Sequence, residues 1–209
     1  VTGLRLPDGV RGVVFDVGET LVDESRSWMA QAERAGITPF TLMGLVGSLI
    51  ESNEDHRRVW EVLGIDPPPE SPGIDSADLY PDAVGCLRAA ADRGLTVGIA
   101  GNQPAGVEAR LRAVGVDADF IASSAAWGVA KPSAEFFSRV TDAAGLSPSA
   151  LLYVGDRLDN DVLPARAVGM RTALIRRGPW GHIHARRPEA ALADLRLDSL
   201  DDLARAFGA

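Results

Sequence analysis

Val13-Val14-Phe15-Asp16-Val17-Gly18-Glu19-Thr20-Leu21 is the stretch on which the fold turns. Three apolar residues run directly into an acid, a glycine follows two places later, and a polar stretch comes next. A strand buried on both faces of a parallel sheet reads as such an unbroken apolar run, and ligands of α/β sheets bind beyond the carboxyl ends of the strands. The pattern predicts a strand over residues 12–17 that delivers the Asp16 carboxylate to a site. A strand-end acid that merely caps a loop gives the same local pattern, so the rest of the chain has to separate the two.

Downstream of residue 80 the chain alternates regularly. Helices are predicted over 81–93, 104–114, 132–144 and 158–168, stopped by Gly94, Gly115, Gly145 and Gly169, and three of them carry a proline near the start. Strands are predicted over 95–100, 120–122, 151–154 and 172–175, with a last short strand at 195–197 and a last helix at 200–207; residues 176–189, rich in Arg, Gly and Pro, are expected to be a loop. Strands alternating with helices imply an α/β fold, a Rossmann-like parallel sheet with helices on both faces. Between the first strand and this alternation the pattern changes. Segments 28–35, 40–50 and 56–63 have helical content and spacing, and Asp66-Pro67-Pro68-Pro69-Glu70-Ser71-Pro72-Gly73 cannot continue a helix. Residues 22–79 are therefore expected to be a small α-helical insertion, with residues 1–21 and 80–209 forming the α/β core.

The strand ends carry the chemistry. Asp16 follows the first strand, Gly101-Asn102-Gln103 the second, and Gly155-Asp156 the fourth, with Asp159 and Asp161 close behind. Of the 21 lysines and arginines, Lys131 is the single lysine, and it stands before the helix opened by Pro132, near the same rim. Acids converging on one edge repel each other unless a divalent cation and a lysine offset them.

Composition narrows the function classes. The chain has 209 residues, 46% hydrophobic and 24% charged, with a net charge of −8, which invites neither nucleic acid nor an anionic membrane. Cys86, the only cysteine, falls in a predicted helix and reads as a small buried hydrophobe rather than a catalytic thiol. No apolar run reaches membrane-spanning length and residues 1–8 lack a signal-peptide pattern, so a cytoplasmic protein is expected. Nothing in the sequence sets the oligomeric state.

Taken together, Asp16 to Thr20, Gly101-Asn102, Lys131-Pro132 and Gly155-Asp156 with Asp161 resemble the ordered motifs of the haloacid dehalogenase (HAD) superfamily, with residues 22–79 where that family inserts a helical cap. The resemblance implies a Mg2+-dependent hydrolase, a phosphatase of a small phosphorylated substrate. Asp16 would be the nucleophile that forms an aspartyl-phosphate. Mg2+ would bind Asp16, the Gly18 carbonyl and Asp156, with Asp161 holding a metal-bound water or positioning Asp156. Lys131 would neutralise Asp16 and the transferring phosphoryl group, and Gly101 and Asn102 would lie against the phosphate. Two positions depart from the family. Its phosphatases usually carry a second Asp where this chain has Gly18, and Ser or Thr where it has Gly101. Without that second Asp, general acid catalysis worth about 10²–10⁴-fold has no obvious donor. Substrates with good leaving groups, such as aryl, acyl or sugar-1-phosphates, are therefore expected. Glu19, Asp23, His56, His182 and His184 are the candidate substitutes, each also readable as a structural or solvated residue. Two other readings remain: a catalytically silent binding or scaffold protein on the same fold, and a metal-free dehalogenase, against which Asp156 and Asp161 argue. Phosphonate cleavage through a cap lysine is excluded, because residues 22–79 contain no lysine. Substrate choice is expected to lie in the insertion, where Arg26, Arg34, Arg57 and Arg58 either meet a second anionic group or are solvated, and Trp180 either packs at the rim or anchors its loop.

Overall fold

A computed structural model describes residues 4–68 and 72–208. Its sheet consists of β1 (Gly12–Phe15), β2 (Thr96–Gly101), β3 (Phe120–Ser123), β4 (Leu151–Gly155), β5 (Arg171–Ile175) and β6 (Leu195–Leu197). Their spatial order is β3-β2-β1-β4-β5-β6, and every neighbouring pair is parallel. The helices are α1 (Ser25–Arg34), α2 (Pro39–Glu51) and α3 (Val59–Leu63) within the expected insertion, then α4 (Ala83–Asp92), α5 (Val107–Ala113), α6 (Ser124–Trp127), α7 (Ala134–Ala144), α8 (Leu163–Ala167), α9 (Gly178–His184) and α10 (Leu200–Phe207).

Successive side chains of a strand point to opposite faces, and both faces here are covered. Val13, Phe15, Val97, Ile99, Leu152 and Val154 pack with residues of α4, α5 and α10. Val14, Ala100, Leu151 and Tyr153 pack with Phe136, Phe137 and Val140 of α7 and Ala165 of α8. This two-sided burial is why β1 and β4 read as continuous apolar runs. Cys86 is fully buried on α4, and burial pushes its thiol pKa up to about 12, which suits packing and not nucleophilic chemistry.

The helices between residues 25 and 63 bury Leu42, Val46, Ile50, Val59 and Trp60 against one another, and Trp180 of α9 joins that cluster. The chain leaves and re-enters the sheet region through a paired junction. Val22 and Leu79 form an antiparallel bridge, Asp23 N–H donates to the Asp78 carbonyl at 2.7 Å, and Tyr80 N–H donates to the Leu21 carbonyl at 3.0 Å. Arg26 pairs with Asp78, and Arg177 pairs with Asp82 while donating to the Thr20 carbonyl at 2.9 Å.

Two expectations about local structure need correction. Residues 176–189 are not an open loop: they contain α9 and the start of a 3-10 turn, Pro188–Leu192. Pro179 sits in the first turn of α9, where a missing N–H costs nothing. The single helix expected over 158–168 begins instead as a π turn, Leu158–Val162, before α8. Asp161 N–H and Val162 N–H both donate to the Arg157 carbonyl at 3.1 Å there, which brings the Asp161 side chain back under β4. The prolines of the expected linker at 67, 68 and 72 fall outside any helix, while its residues 69–71 lie outside the described residues, as do residues 1–3. Among the described residues no helix is long and apolar enough to cross a membrane.

Candidate active site

The sheet order reverses at β1. The chain builds outward through β2 and β3, then returns to lay β4 on the other side of β1. Crevices at the carboxyl ends of strands flanking such a reversal are where doubly wound folds bind ligands. Asp16 N–H donates to the Val154 carbonyl at 2.9 Å, which carries the β1–β4 ladder one residue past β1 and sets Asp16 beside the turn holding Asp156.

Three buried carboxylates meet in this crevice: Asp16, Asp156 and Asp161 offer oxygens that lie within 4.8 Å of one another. Lys131 enters from the loop before α7. Its Nζ is 2.7 Å from Asp16 Oδ1 and 2.6 Å from Asp161 Oδ1, with the lysine side chain 1% exposed. Burial alone would lower the Lys131 pKa, but Asp16 and Asp161 outweigh it and hold the ammonium charged. Burial, then the neighbouring Asp161 and Asp16 charges, raises the Asp156 carboxyl well above the ordinary carboxylate range. Three carboxylates against one ammonium leave an excess of two negative charges when all are ionised. That excess and the all-oxygen donor set fit a hard divalent cation such as Mg2+.

Glycines at two strand ends make room for this arrangement. A Cβ at Gly101 would overlap Asp16 Oδ1, and a Cβ at Gly155 would overlap the Asp161 carboxylate. Asp161 completes its contacts by accepting the Arg157 N–H at 3.0 Å. Asn102 grips the backbone of the lysine from both sides: its Nδ2 donates to the Lys131 carbonyl at 2.9 Å and its Oδ1 accepts the Lys131 N–H at 2.8 Å. The Asn102 amide therefore holds the lysine in place, a use the sequence did not suggest, while still bordering the cavity.

The cavity above these groups has a volume of about 770 Å³. Asp16, Gly18, Glu24, Lys131 and Asp156 border it, as do Trp28, His56, Arg157 and Trp180. Arg157 lies over the Trp180 ring at 5.0 Å and pairs with Asp159 at 2.6 Å, and His56 meets the same ring edge-on at 4.9 Å.

The candidate proton donors separate clearly. Glu19 has a backbone φ of 51°, in the left-handed region that favours glycine, and its buried carboxylate accepts the Tyr80 hydroxyl at 2.6 Å and the Glu24 N–H at 3.0 Å. It braces the turn after Asp16. Asp23 accepts the Ser25 N–H at 2.8 Å and borders a different, apolar groove beside Phe40 and Met43. His56 borders the cavity, with its pKa lowered to about 4 by burial and by Arg157. His182 is exposed on α9. His184 is buried, accepts the Leu158 N–H at 3.0 Å through Nδ1, and burial lowers its pKa to about 4. The two histidines thus lie on a helix in unlike surroundings. Of the insertion's arginines, Arg26 pairs with Asp78, Arg57 with Asp55, and Arg58 with Glu54 and Glu61. Arg157, adjacent to Asp156, and Glu24 also border the cavity, and no motif in the sequence marks either of them. Burial and the charges of Glu19 and Asp16 raise the Glu24 pKa to about 7, against a hydrogen bond from Trp28.

A family profile described as haloacid dehalogenase-like hydrolase matches residues 10–169. A glyceraldehyde 3-phosphate phosphatase of Methanopyrus kandleri is 27% identical over 210 residues, covering 86% of this chain and 90% of that protein. A haloacid dehalogenase-like hydrolase domain-containing protein 3 of Danio rerio is 29% identical over 133 residues, covering 63% of this chain and 53% of that one. Among solved structures, an L-2-haloacid dehalogenase from Xanthobacter autotrophicus superposes with a TM-score of 0.68 at 22% identity, over 94% of this chain and 97% of that one, a likeness of fold. The matched segment contains Asp16, Lys131, Asp156 and Asp161 on the strand ends and loops just described, and the chain belongs to the haloacid dehalogenase-like hydrolases.

Proposed function

We propose that this hydrolase is a Mg2+-dependent phosphatase of a small phosphorylated substrate that works through an aspartyl-phosphate. The observation that carries the reading is the buried Asp16–Lys131–Asp161 chain with Asp156 beside it. Phosphoryl transfer asks chiefly for positioning and for stabilisation of charge on the phosphoryl oxygens. Asp16 presents a carboxylate oxygen to phosphorus, and Lys131 draws charge from Asp16 and from the incoming phosphoryl group. Asp161 and Asn102 keep the lysine at that spot. Mg2+ held by Asp16, the Gly18 carbonyl and Asp156, with Asp161 nearby, would supply the remaining positive charge. Residues 22–79 act as a cap: they follow the nucleophile in sequence and bring Trp28 and His56 to the border of the cavity. The phosphatase names among the relatives support the same class.

The test is hydrolysis of p-nitrophenyl phosphate by purified protein with and without Mg2+, beside chloride release from 2-chloropropionate. Turnover of the phosphate ester that needs the metal and is lost in Asp16→Asn is expected. Metal-independent chloride release without phosphatase activity would overturn the reading in favour of dehalogenation, and no turnover of either would favour a non-catalytic role.

A further inference from the structure

Gly18 removes a side chain from the place where a leaving group would be protonated, and the structure fills that space from elsewhere. A Cβ built on Gly18 would lie 2.5 Å from Glu24 Oε1 and 2.7 Å from Glu24 Cδ. The Glu24 carboxylate thus occupies the volume that the first atoms of a residue-18 side chain would take. It borders the same cavity as Asp16, Lys131 and Asp156. Glu24 stands at the N-terminal edge of α1, yet its side chain makes no capping hydrogen bond to that helix. Its backbone is pinned instead, its N–H donating to Glu19 Oε1 at 3.0 Å. The indole of Trp28, one turn along α1, hydrogen-bonds the carboxylate and orients it. The other acids nearby are committed: Glu19 to Tyr80 and the Glu24 N–H, and Asp161 to Lys131 and the Arg157 N–H.

We propose that Glu24 is the general acid and base on the leaving-group side of the reaction, taking over the part that a side chain at Gly18 cannot play. This rests on the phosphatase reading above. In the first half-reaction an Asp16 oxygen bonds to phosphorus, the bond from phosphorus to the leaving oxygen breaks, and its electron pair stays with that oxygen. The Glu24 carboxylic acid gives its proton to the oxygen, releasing an alcohol and leaving Glu24 as carboxylate. In the second half, that carboxylate takes a proton from water as the water oxygen bonds to phosphorus. The bond from phosphorus to Asp16 breaks, inorganic phosphate leaves, and Asp16 and Glu24 return to their starting states. Glu24 comes from the segment that leads into α1 and Lys131 from the loop before α7, and both border the one cavity. The preference for good leaving groups expected from Gly18 is then replaced by tolerance of poor ones.

The experiment measures kcat/KM, with Mg2+, for a series of phosphate esters whose leaving groups run from p-nitrophenol through phenol to a simple alcohol. Wild-type protein is expected to show a shallow dependence on leaving-group basicity. Glu24→Gln, which keeps the shape and removes the proton, should lose little on p-nitrophenyl phosphate and about 10²–10⁴-fold on the alkyl ester. The swap Gly18→Asp with Glu24→Ala should restore the shallow dependence, and Glu24→Asp should recover part of it. A uniform loss across the series in Glu24→Gln, or an unchanged slope, would overturn the assignment while leaving the phosphatase reading intact. No Mg2+-dependent turnover of any ester by wild-type protein would overturn both.

Discussion

Gly101 closes β2 with no side chain between its α-carbon and the Asp16 carboxylate. A serine at this position would drive Asp16 off Lys131. Overpacking of this kind costs about 1–3 kcal/mol. Gly101→Ser is expected to lower both the urea midpoint and kcat/KM, the latter by about tenfold or more, and parallel unfolding and kinetic measurements check it. His184 makes a prediction about pH. Its pKa is lowered by burial to about 4 in the folded protein and is near 6.5 when unfolded. The unfolded chain therefore binds the proton first, so stability is full above about pH 6.5 and is lost as pH falls toward 4. His184→Gln, which keeps an acceptor for the Leu158 N–H, should flatten that segment of the stability–pH curve by roughly 1–3 kcal/mol, read by urea titrations at pH 7 and 4.5. The groups that cluster at the site were legible in the sequence, because Asp16, Asp156 and Asp161 follow apolar strands and Lys131 is the chain's single lysine. Glu24 was not legible. Its importance comes from a space left by Gly18 six residues earlier, and no periodicity or motif records which side chain will fold into a gap.

At the level of elements, the sheet strands and most core helices follow from apolar runs and glycine stops, which act locally. The elements misread over 158–168 and 176–189 are those whose form is set by long-range contacts. The π turn over Leu158–Val162 is shaped by the need to bring Asp161 beneath β4, and α9 is held by Trp180 packing into the cluster of α2 and α3. That tryptophan joins the two parts of the chain, since α9 follows β5 while its side chain is buried among insertion residues. Trp180→Ala should cost about 3 kcal/mol and speed amide exchange in α2 more than in β4, measurable by hydrogen–deuterium exchange mass spectrometry. At the junction, Tyr80→Phe removes the hydroxyl that Glu19 accepts, leaving a buried carboxylate short of one partner. The expected loss is about 1–3 kcal/mol, with KM changing more than the rate of chemistry, because the turn that carries Gly18 loosens.

Across the whole molecule, the cluster of three buried carboxylates and one ammonium is under-neutralised without a cation. Mg2+ should therefore stabilise the protein as well as activate it. A concentration of 100 times the dissociation constant adds about 2.7 kcal/mol, or roughly 5–10 °C in Tm for a chain of this size. Asp156→Asn should abolish that shift while the metal-free variant melts no lower than metal-free wild type, because it removes one of the repelling charges; calorimetry with and without chelator checks both. The same cluster has a chemical consequence. All the surface cations of this chain are guanidinium groups, and its one side-chain amine is enclosed between two carboxylates. An acylating reagent specific for side-chain amines has a single target in this sequence, and that target borders the substrate cavity. Acylation of Lys131 therefore reports access to the cavity, and a bound phosphate analogue should slow it.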